Sequence, residues 1–300
     1  MLRVRSMHLG ASLSLLWFCY HVWSEWHYHG RAERFAGRVA TEERAANTPV
    51  QAKSRTDDVP TPAAYFEARQ DNAPVTPPAA STNALPVHSG AWQIQILRNA
   101  AYTVGYSPKE RLALWVYFRL DVNHPLFPRY RRPKIEFYPV ERVTDPVYSS
   151  EYTRSGYQRG HLATSVTIGI YFGSAAQAET FRLTNIVPQV AWHNEGIWNT
   201  LERIECDDYP KRYGVTESVC GPVLGNRRIG RLPVPRALYK IIERPDGKCL
   251  AFLIPQDCSE IPPSELDRQL TSVAVIERAT GLVFDFVPQS EKRAVAGRRW

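Results

Sequence analysis

Two polar clusters carry residue types from which an active site can be built. Gln158-Arg159-Gly160-His161 sets an imidazole two positions from a guanidinium. An imidazole of ordinary pKa, about 6.5, accepts a proton near neutrality, and a guanidinium presents a planar fork of donors suited to phosphate oxygens. The second cluster runs from Asn185 to Glu202, and within it His193 to Glu202 has the pattern of a helix start, with Asn194 at the cap and no proline inside. At helical spacing Asn194, Trp198 and Leu201 share one side, and Glu202 lies roughly 80° from Asn194, so one face carries an amide and a carboxylate. An amide oxygen suits a hard cation that keeps several of its waters, and a carboxylate can order water or move a proton.

Other chemistries fit less well. Ser155 and Ser165 flank the first cluster, but no Gly-x-Ser-x-Gly elbow occurs and no acid is placed to support a Ser/His hydrolase. His193 adjoins Asn194, yet neighbouring helical positions point about 100° apart and no further ligand joins it. No Cys-x-x-Cys spacing supports zinc.

In order along the chain stand Arg159-Gly160-His161, Glu179-Thr180-Phe181, Asn185-Ile186-Val187-Pro188-Gln189, and Asn194 through Trp198 to Leu201-Glu202. On these residues the chain resembles the DNA/RNA non-specific endonucleases, the family of mitochondrial endonuclease G and the secreted bacterial sugar-non-specific nucleases. Gln158 is the departure: the family usually has Asp there, so the charge that Asp lends to orienting the site is missing. Asn99 to Tyr106 with Trp115-Val116-Tyr117 resembles the family's opening hairpin, and Val273 to Leu282 its closing segment, so the resemblance covers about Trp92 to Val287.

The resemblance implies an α+β fold, a mainly antiparallel central sheet with packed helices and a ββα-metal finger in which His161 and Asn194 face one metal ion. It implies magnesium-dependent hydrolysis of DNA and RNA, with manganese an acceptable substitute. His161 would be the general base, Asn194 the metal ligand, and Glu202 the group that orders water and helps protonate the leaving oxygen. Arg159 would stabilise the transition state, and Arg131 or Arg132 would add a phosphate contact. Gln158 and Asn185 would brace the site, while Trp198 and Leu201 belong to the core. Two rivals accompany this reading: a phosphodiesterase or pyrophosphatase acting on small nucleotides, and a non-catalytic nucleic-acid-binding relative, for which Gln158 is the hint.

The elements that must position these residues begin near Trp92. Gln93 to Leu97 alternates, Tyr102 to Tyr106 and Leu114 to Leu120 are rich in β-branched and aromatic residues, and a turn at Ser107-Pro108 joins the last two. Ser218 to Leu224, Val234-Pro235 with Leu238 to Ile242, and Leu250 to Pro255 read as short buried strands. The chain has 300 residues, 44% of them hydrophobic, enough for one sizeable domain with extensions. A net charge of +7 favours polyanionic partners, although runs such as Arg227 to Arg231 are by themselves ordinary solvated surface.

Arg3 and Arg5 precede the uncharged stretch Leu9 to Trp23, which places an export signal or signal-anchor in residues 1–29. The body is then exported, whether secreted, periplasmic or tethered to a membrane, and Cys206, Cys220, Cys249 and Cys258 become candidates for disulfides as well as buried thiols. Residues 30–90 are rich in Ala, Thr and Pro and form a linker that cannot bury enough apolar surface to offset its ordering entropy. The catalytic domain occupies residues 91–289, residues 290–300 form a basic tail, and a homodimer is left open.

Overall fold

Along Leu238-Tyr239-Lys240-Ile241-Ile242 the side chains alternate between two separate buried clusters, with Leu238 and Ile242 in one and Tyr239 and Ile241 in the other. A strand apolar on both sides must be covered on both faces. The computed structural model, which describes residues 87–88, 91–124, 126–128 and 132–300, is organised around strands of this kind.

In chain order the elements are β1 (Val87–His88), β2 (Gln95–Arg98), β3 (Thr103–Ser107), β4 (Leu112–Asp121), β5 (Gln158–His161), α1 (Ser165–Glu179) and β6 (Ile186–Gln189). A π-helical turn (His193–Trp198) then runs directly into α2 (Asn199–Asp207), followed by α3 (Tyr209–Tyr213), β7 (Val215–Ile229), β8 (Leu232–Glu243) and β9 (Cys249–Pro255). The chain closes with β10 (Leu270–Thr271), α4 (Val273–Thr280) and β11 (Val283–Phe284).

A seven-stranded sheet runs in the order β10-β9-β8-β7-β4-β3-β2, with every neighbouring pair antiparallel. On one face lie α1, the separate β5–β6 ribbon, the π-helical turn and α2, whose Ile168, Val187, Ile197, Trp198 and Leu201 pack with Phe118, Leu238 and Phe252. On the other face Val273 and Ile276 of α4 and Phe284 of β11 pack with Trp115, Val219 and Tyr239. This is the α+β architecture with a mainly antiparallel sheet that the sequence leads one to expect.

Several boundaries differ from the sequence reading. Strands β7 and β8 are long and continuous, although Pro222, Pro233 and Pro235 interrupt them, because register shifts at Val223/Leu224 and Leu224/Arg228 bulge the ladder where amide donors are lacking. Val87 and His88, ahead of residue 91, pair with Phe284 and Val283. The basic tail is docked rather than frayed: Lys292 pairs with Glu277, Arg299 with Asp267, and the Trp300 ring meets Tyr209 and Tyr213 edge-on beneath Arg244. Among the described residues no disulfide joins Cys206, Cys220, Cys249 and Cys258, and no helix is long and apolar enough to cross a membrane. The signal and most of the linker fall outside the described residues.

Candidate active site

Strand β5 carries the first polar cluster and is held by β6 in the register Gln158↔Gln189, Arg159↔Pro188, Gly160↔Val187 and His161↔Ile186. Gly160 is required by close approach, because a Cβ there would sit 1.8 Å from Oε1 and 2.8 Å from Cβ of Gln189. Behind His161 the chain is fixed by Asn185, which is fully buried. Its Nδ2 donates to the carbonyls of Ala163 and Thr180, both at 2.9 Å, and its Oδ1 accepts the Ala163 N–H at 2.9 Å. Both amide protons are engaged by backbone, so this side chain ties the start of β6 to the end of β5.

The His161 ring packs against Phe137 and Phe181, each with its centroid at 5.3 Å. Part of the ring stays exposed, but Nε2 is sealed from solvent and has no hydrogen-bond partner. Burial, with a smaller push from the Arg132 charge, lowers the imidazole to about 3. The ring is therefore neutral at physiological pH, an acceptor without a proton to accept from. Its folded pKa lies below the unfolded value of about 6.5, so this burial favours the fold above pH 6.5 and that contribution is lost as pH falls toward 3. Proton NMR of the His161 Cε1–H is expected to show no titration between pH 8 and 5; a midpoint near 6.5 would mean that the ring is solvated.

Two guanidinium groups share this aromatic surface. Arg132 lies over Phe137 at 5.6 Å and over Phe181 at 5.0 Å, the same two rings that flank His161. Arg159 lies over Tyr152 at 5.4 Å and Phe137 at 5.9 Å, donates from Nη2 to the Ser149 carbonyl at 2.6 Å, and has a sealed Nε with no partner. No carboxylate pairs with either arginine among the described residues, so Arg159 is not the ion-pair partner that such a buried arginine commonly is. The loop that supplies Ser149 is itself anchored by Arg111, which binds Glu151 through both terminal nitrogens at 2.7 and 2.8 Å. Arg131 lies outside the described residues.

The second cluster meets the first through Gln158. Asn194 Nδ2 donates to Gln158 Oε1 at 2.7 Å, and Gln158 Nε2 donates to Glu195 Oε1. Asn194 is not a helix cap. The helix starts at Ala191, the Asn194 N–H already donates to the Val190 carbonyl at 3.0 Å, and the residue lies inside the π-helical turn. That turn carries an extra residue per hydrogen-bonded ring, a distortion that marks functional positions in many helices and alters the simple 100° spacing. The Asn194 amide nitrogen is held by Gln158, and no donor meets its Oδ1 among the described residues. His161 and Gln158 are three residues apart on one strand, which keeps the two clusters within about 10 Å along the backbone.

Further along the helix, Glu202 is partly exposed but has a sealed, unpartnered Oε1. Burial raises its carboxyl to about 8, with Lys240 pulling it down and Glu205 pushing it up. Beneath it Lys240 and Glu205 form a fully buried ion pair, the ammonium flanked by Phe118 at 5.6 Å and Trp198 at 5.3 Å. His193 is a core residue: it is fully buried, its Nδ1 meets Gln189 Nε2 at 2.6 Å, its Nε2 meets the Ile254 carbonyl at 3.2 Å, and its ring stacks on Trp198.

Sequence reasoning passed over Tyr152, Glu195 and the Lys240–Glu205 pair. The first two lack a motif of their own, and a lysine centred in Leu238 to Ile242 was the one sequence signal for the third.

A neutral imidazole beside two unpaired guanidinium groups, with an amide oxygen and a carboxyl on the adjoining helix, is the equipment of a protein that handles phosphate esters. The family model for DNA/RNA non-specific endonuclease matches residues 80–291, and the chain belongs to that family. It is similar to "Nuclease EXOG, mitochondrial" of Danio rerio, 30% identical over 210 residues, covering 61% of this chain and 58% of that protein. Similarity to "Endonuclease G, mitochondrial" of Homo sapiens is 29% over 227 residues, covering 67% and 72%. The chain thus spans little more than half the length of the EXOG relatives it matches. The structure of an EndoG/EndoGI complex shares the fold, with a TM-score of 0.56 at 24% identity over 66% of this chain and 89% of that one.

Proposed function

We propose that the chain is a metal-dependent endonuclease that hydrolyses the phosphodiester bonds of DNA and RNA without reading their sequence. The observation that carries this reading is the sealed, unpartnered Nε2 of His161, whose neighbouring Phe137 ring also carries Arg132 and Arg159, on a strand whose first residue holds Asn194. The names of the curated relatives, which are nucleases, support it.

A phosphodiester is an anion that repels nucleophiles, so its hydrolysis needs a base, positive charge at the phosphate and relief of charge on the leaving oxygen. His161, kept neutral by burial, takes the proton of the attacking water at Nε2. Arg132 and Arg159, without carboxylate partners, hold the non-bridging oxygens and stabilise the transition state. Glu202, whose carboxyl is raised to about 8, bears a proton at neutral pH and donates it toward the leaving oxygen. Phosphate contacts carry no sequence information, in keeping with cleavage of either polymer at any base.

The residues fit a hard divalent cation, magnesium or manganese. Among the described residues Asn194 Oδ1 accepts no hydrogen bond, and no group of three His, Cys, Asp or Glu surrounds a point as a softer metal would want. Asn194 would hold the ion while Gln158 fixes the amide; when bound, the ion supplies charge neutralisation at the phosphate. The β5–β6 ribbon and the helix after it are, in this reading, the ββα-metal finger. Residues 1–29 direct export of the catalytic region, either released or tethered to a membrane; fractionation of cells making the full chain tests that part.

The roles of Asn194 and Gln158 are tested by magnesium titration of plasmid cleavage. Asn194→Ala is expected to abolish cleavage, and Gln158→Ala to raise the half-saturating magnesium concentration about 10- to 100-fold, as loss of a ligand-orienting partner does. Unchanged magnesium dependence in both variants would remove the metal from Asn194.

A further inference from the structure

The sequence singled out the arginine run Arg227 to Arg231 without giving it work, and the structure divides that run in two. Arg228 pairs with Glu110, and Arg231 with Asp145, a carboxylate it shares with Arg111. Arg227 and, on the facing strand, Arg236 have no ion pair among the described residues. Both are exposed, and both line a cleft of about 510 Å³ together with Tyr157, Asn226, Gln256 and Asp257.

The cleft is built by the β7–β8 bulge. The ladder pairs Leu224 with Pro235 and resumes only at Arg228 with Pro233, so Gly225 to Arg227 swing out of register. Bulges re-aim side chains in this way. A Cβ on Gly225 would lie 3.2 Å from the Cβ of Arg236, so the glycine lets the Arg236 stem lie across the bulge. The floor is rigid: Gln256 donates to the carbonyls of Pro188 at 3.1 Å and Pro235 at 2.7 Å, and accepts the Val190 N–H at 2.9 Å. Pro188 and Val190 bracket the end of β6, just before the helix that carries Asn194. On the opposite wall Tyr157 immediately precedes Gln158, and its phenol makes no hydrogen bond among the described residues. The cleft therefore adjoins the candidate active site.

We propose that this cleft is a subsite for one unpaired nucleotide of the substrate strand, next to the scissile phosphate. It rests on the nuclease reading. The Tyr157 ring stacks on the base, Arg227 and Arg236 hold the phosphates on either side of it, and Asp257 accepts hydrogen bonds from sugar hydroxyl or base amino groups. Base stacking on an aromatic wall with flanking arginines is tolerant of sequence and specific for single strands. The volume suits one small ligand and not the width of a duplex.

The test uses the full chain carrying His161→Asn, so that binding is read without cleavage, and a fluorescent single-stranded DNA oligonucleotide as the probe. Arg227→Gln with Arg236→Gln is expected to lower the slope of log affinity against log salt by about 1.4, at about 0.7 per phosphate contact. Tyr157→Leu is expected to weaken binding about 5- to 150-fold, the range of one stacked base. Arg228→Gln, whose charge is already paired with Glu110, serves as the control and is expected to leave the slope unchanged. In the catalytic chain the Arg227, Arg236 and Tyr157 variants are expected to raise KM for single-stranded polymer. An unchanged slope and affinity in the double variant, an effect seen with duplex and absent with single strands, or a parent chain that binds no oligonucleotide would each overturn the subsite. A native chain that binds with the expected slope yet cuts nothing would sink the nuclease reading and leave the subsite standing.

Discussion

Replacing His161 by asparagine, close in volume and unable to serve as the base, is expected to slow phosphodiester cleavage about 100- to 10,000-fold. The reasoning is local. His161 has a sealed nitrogen with no partner among the described residues, and Phe137, Phe181 and Arg132 hold its ring where burial keeps that nitrogen neutral. Such an atom costs stability in the resting protein, and the proposed role as general base would use it. Removing it should therefore leave the melting temperature unchanged or slightly raised while the rate collapses. Cleavage of plasmid DNA beside a thermal melt checks both halves: a rate within a few-fold of the parent would remove His161 from the chemistry, and a large fall in melting temperature would make it a structural residue.

The second large effect concerns stability. Lys240→Met is expected to cost about 3–5 kcal/mol, because it leaves Glu205 as an uncompensated charge at a fully buried position. For a domain of this size that corresponds to a fall in melting temperature of roughly 6–20 °C. Combining it with Glu205→Leu is expected to recover much of the loss, since desolvation of the pair offsets most of its attraction. The pair lies under Glu202 and against Trp198, so the double variant also reads whether the buried charges set the proton on Glu202. A single-variant loss below about 1 kcal/mol would contradict the burial of the pair.

The sheet and the order of the site residues were legible from residue pattern and motif spacing. Leu114 to Leu120 reads as a strand and Leu250 to Pro255 as a buried one, and Arg159-Gly160-His161 followed by Asn194 to Glu202 marks the candidate site. What escaped depends on contacts far apart in sequence. Arg132 stands beside His161 only through the Phe137 and Phe181 rings, which the fold and not the sequence brings together. Helix α1 was hidden because Gly169 and Gly173 argue against helix, and it is in fact two helical pieces joined where Gly173 adopts φ 87°. The start of the Asn194 helix was misplaced because a π-helical turn has no sequence signature of its own. Gln158 illustrates the same limit. Its lack of charge was visible, but its contacts to Asn194 on one side and the Glu195 carboxylate on the other were not. A negative charge thus remains one hydrogen bond away from the position where the family usually has Asp.

The most direct test is cleavage of plasmid DNA and of RNA by the full native chain, with magnesium and then with excess chelator. Cutting of both polymers at no preferred base, stopped by the chelator and restored by added magnesium, is the expected result. Intact polymers in magnesium, under conditions where the protein is folded and binds them, would contradict the proposed nuclease.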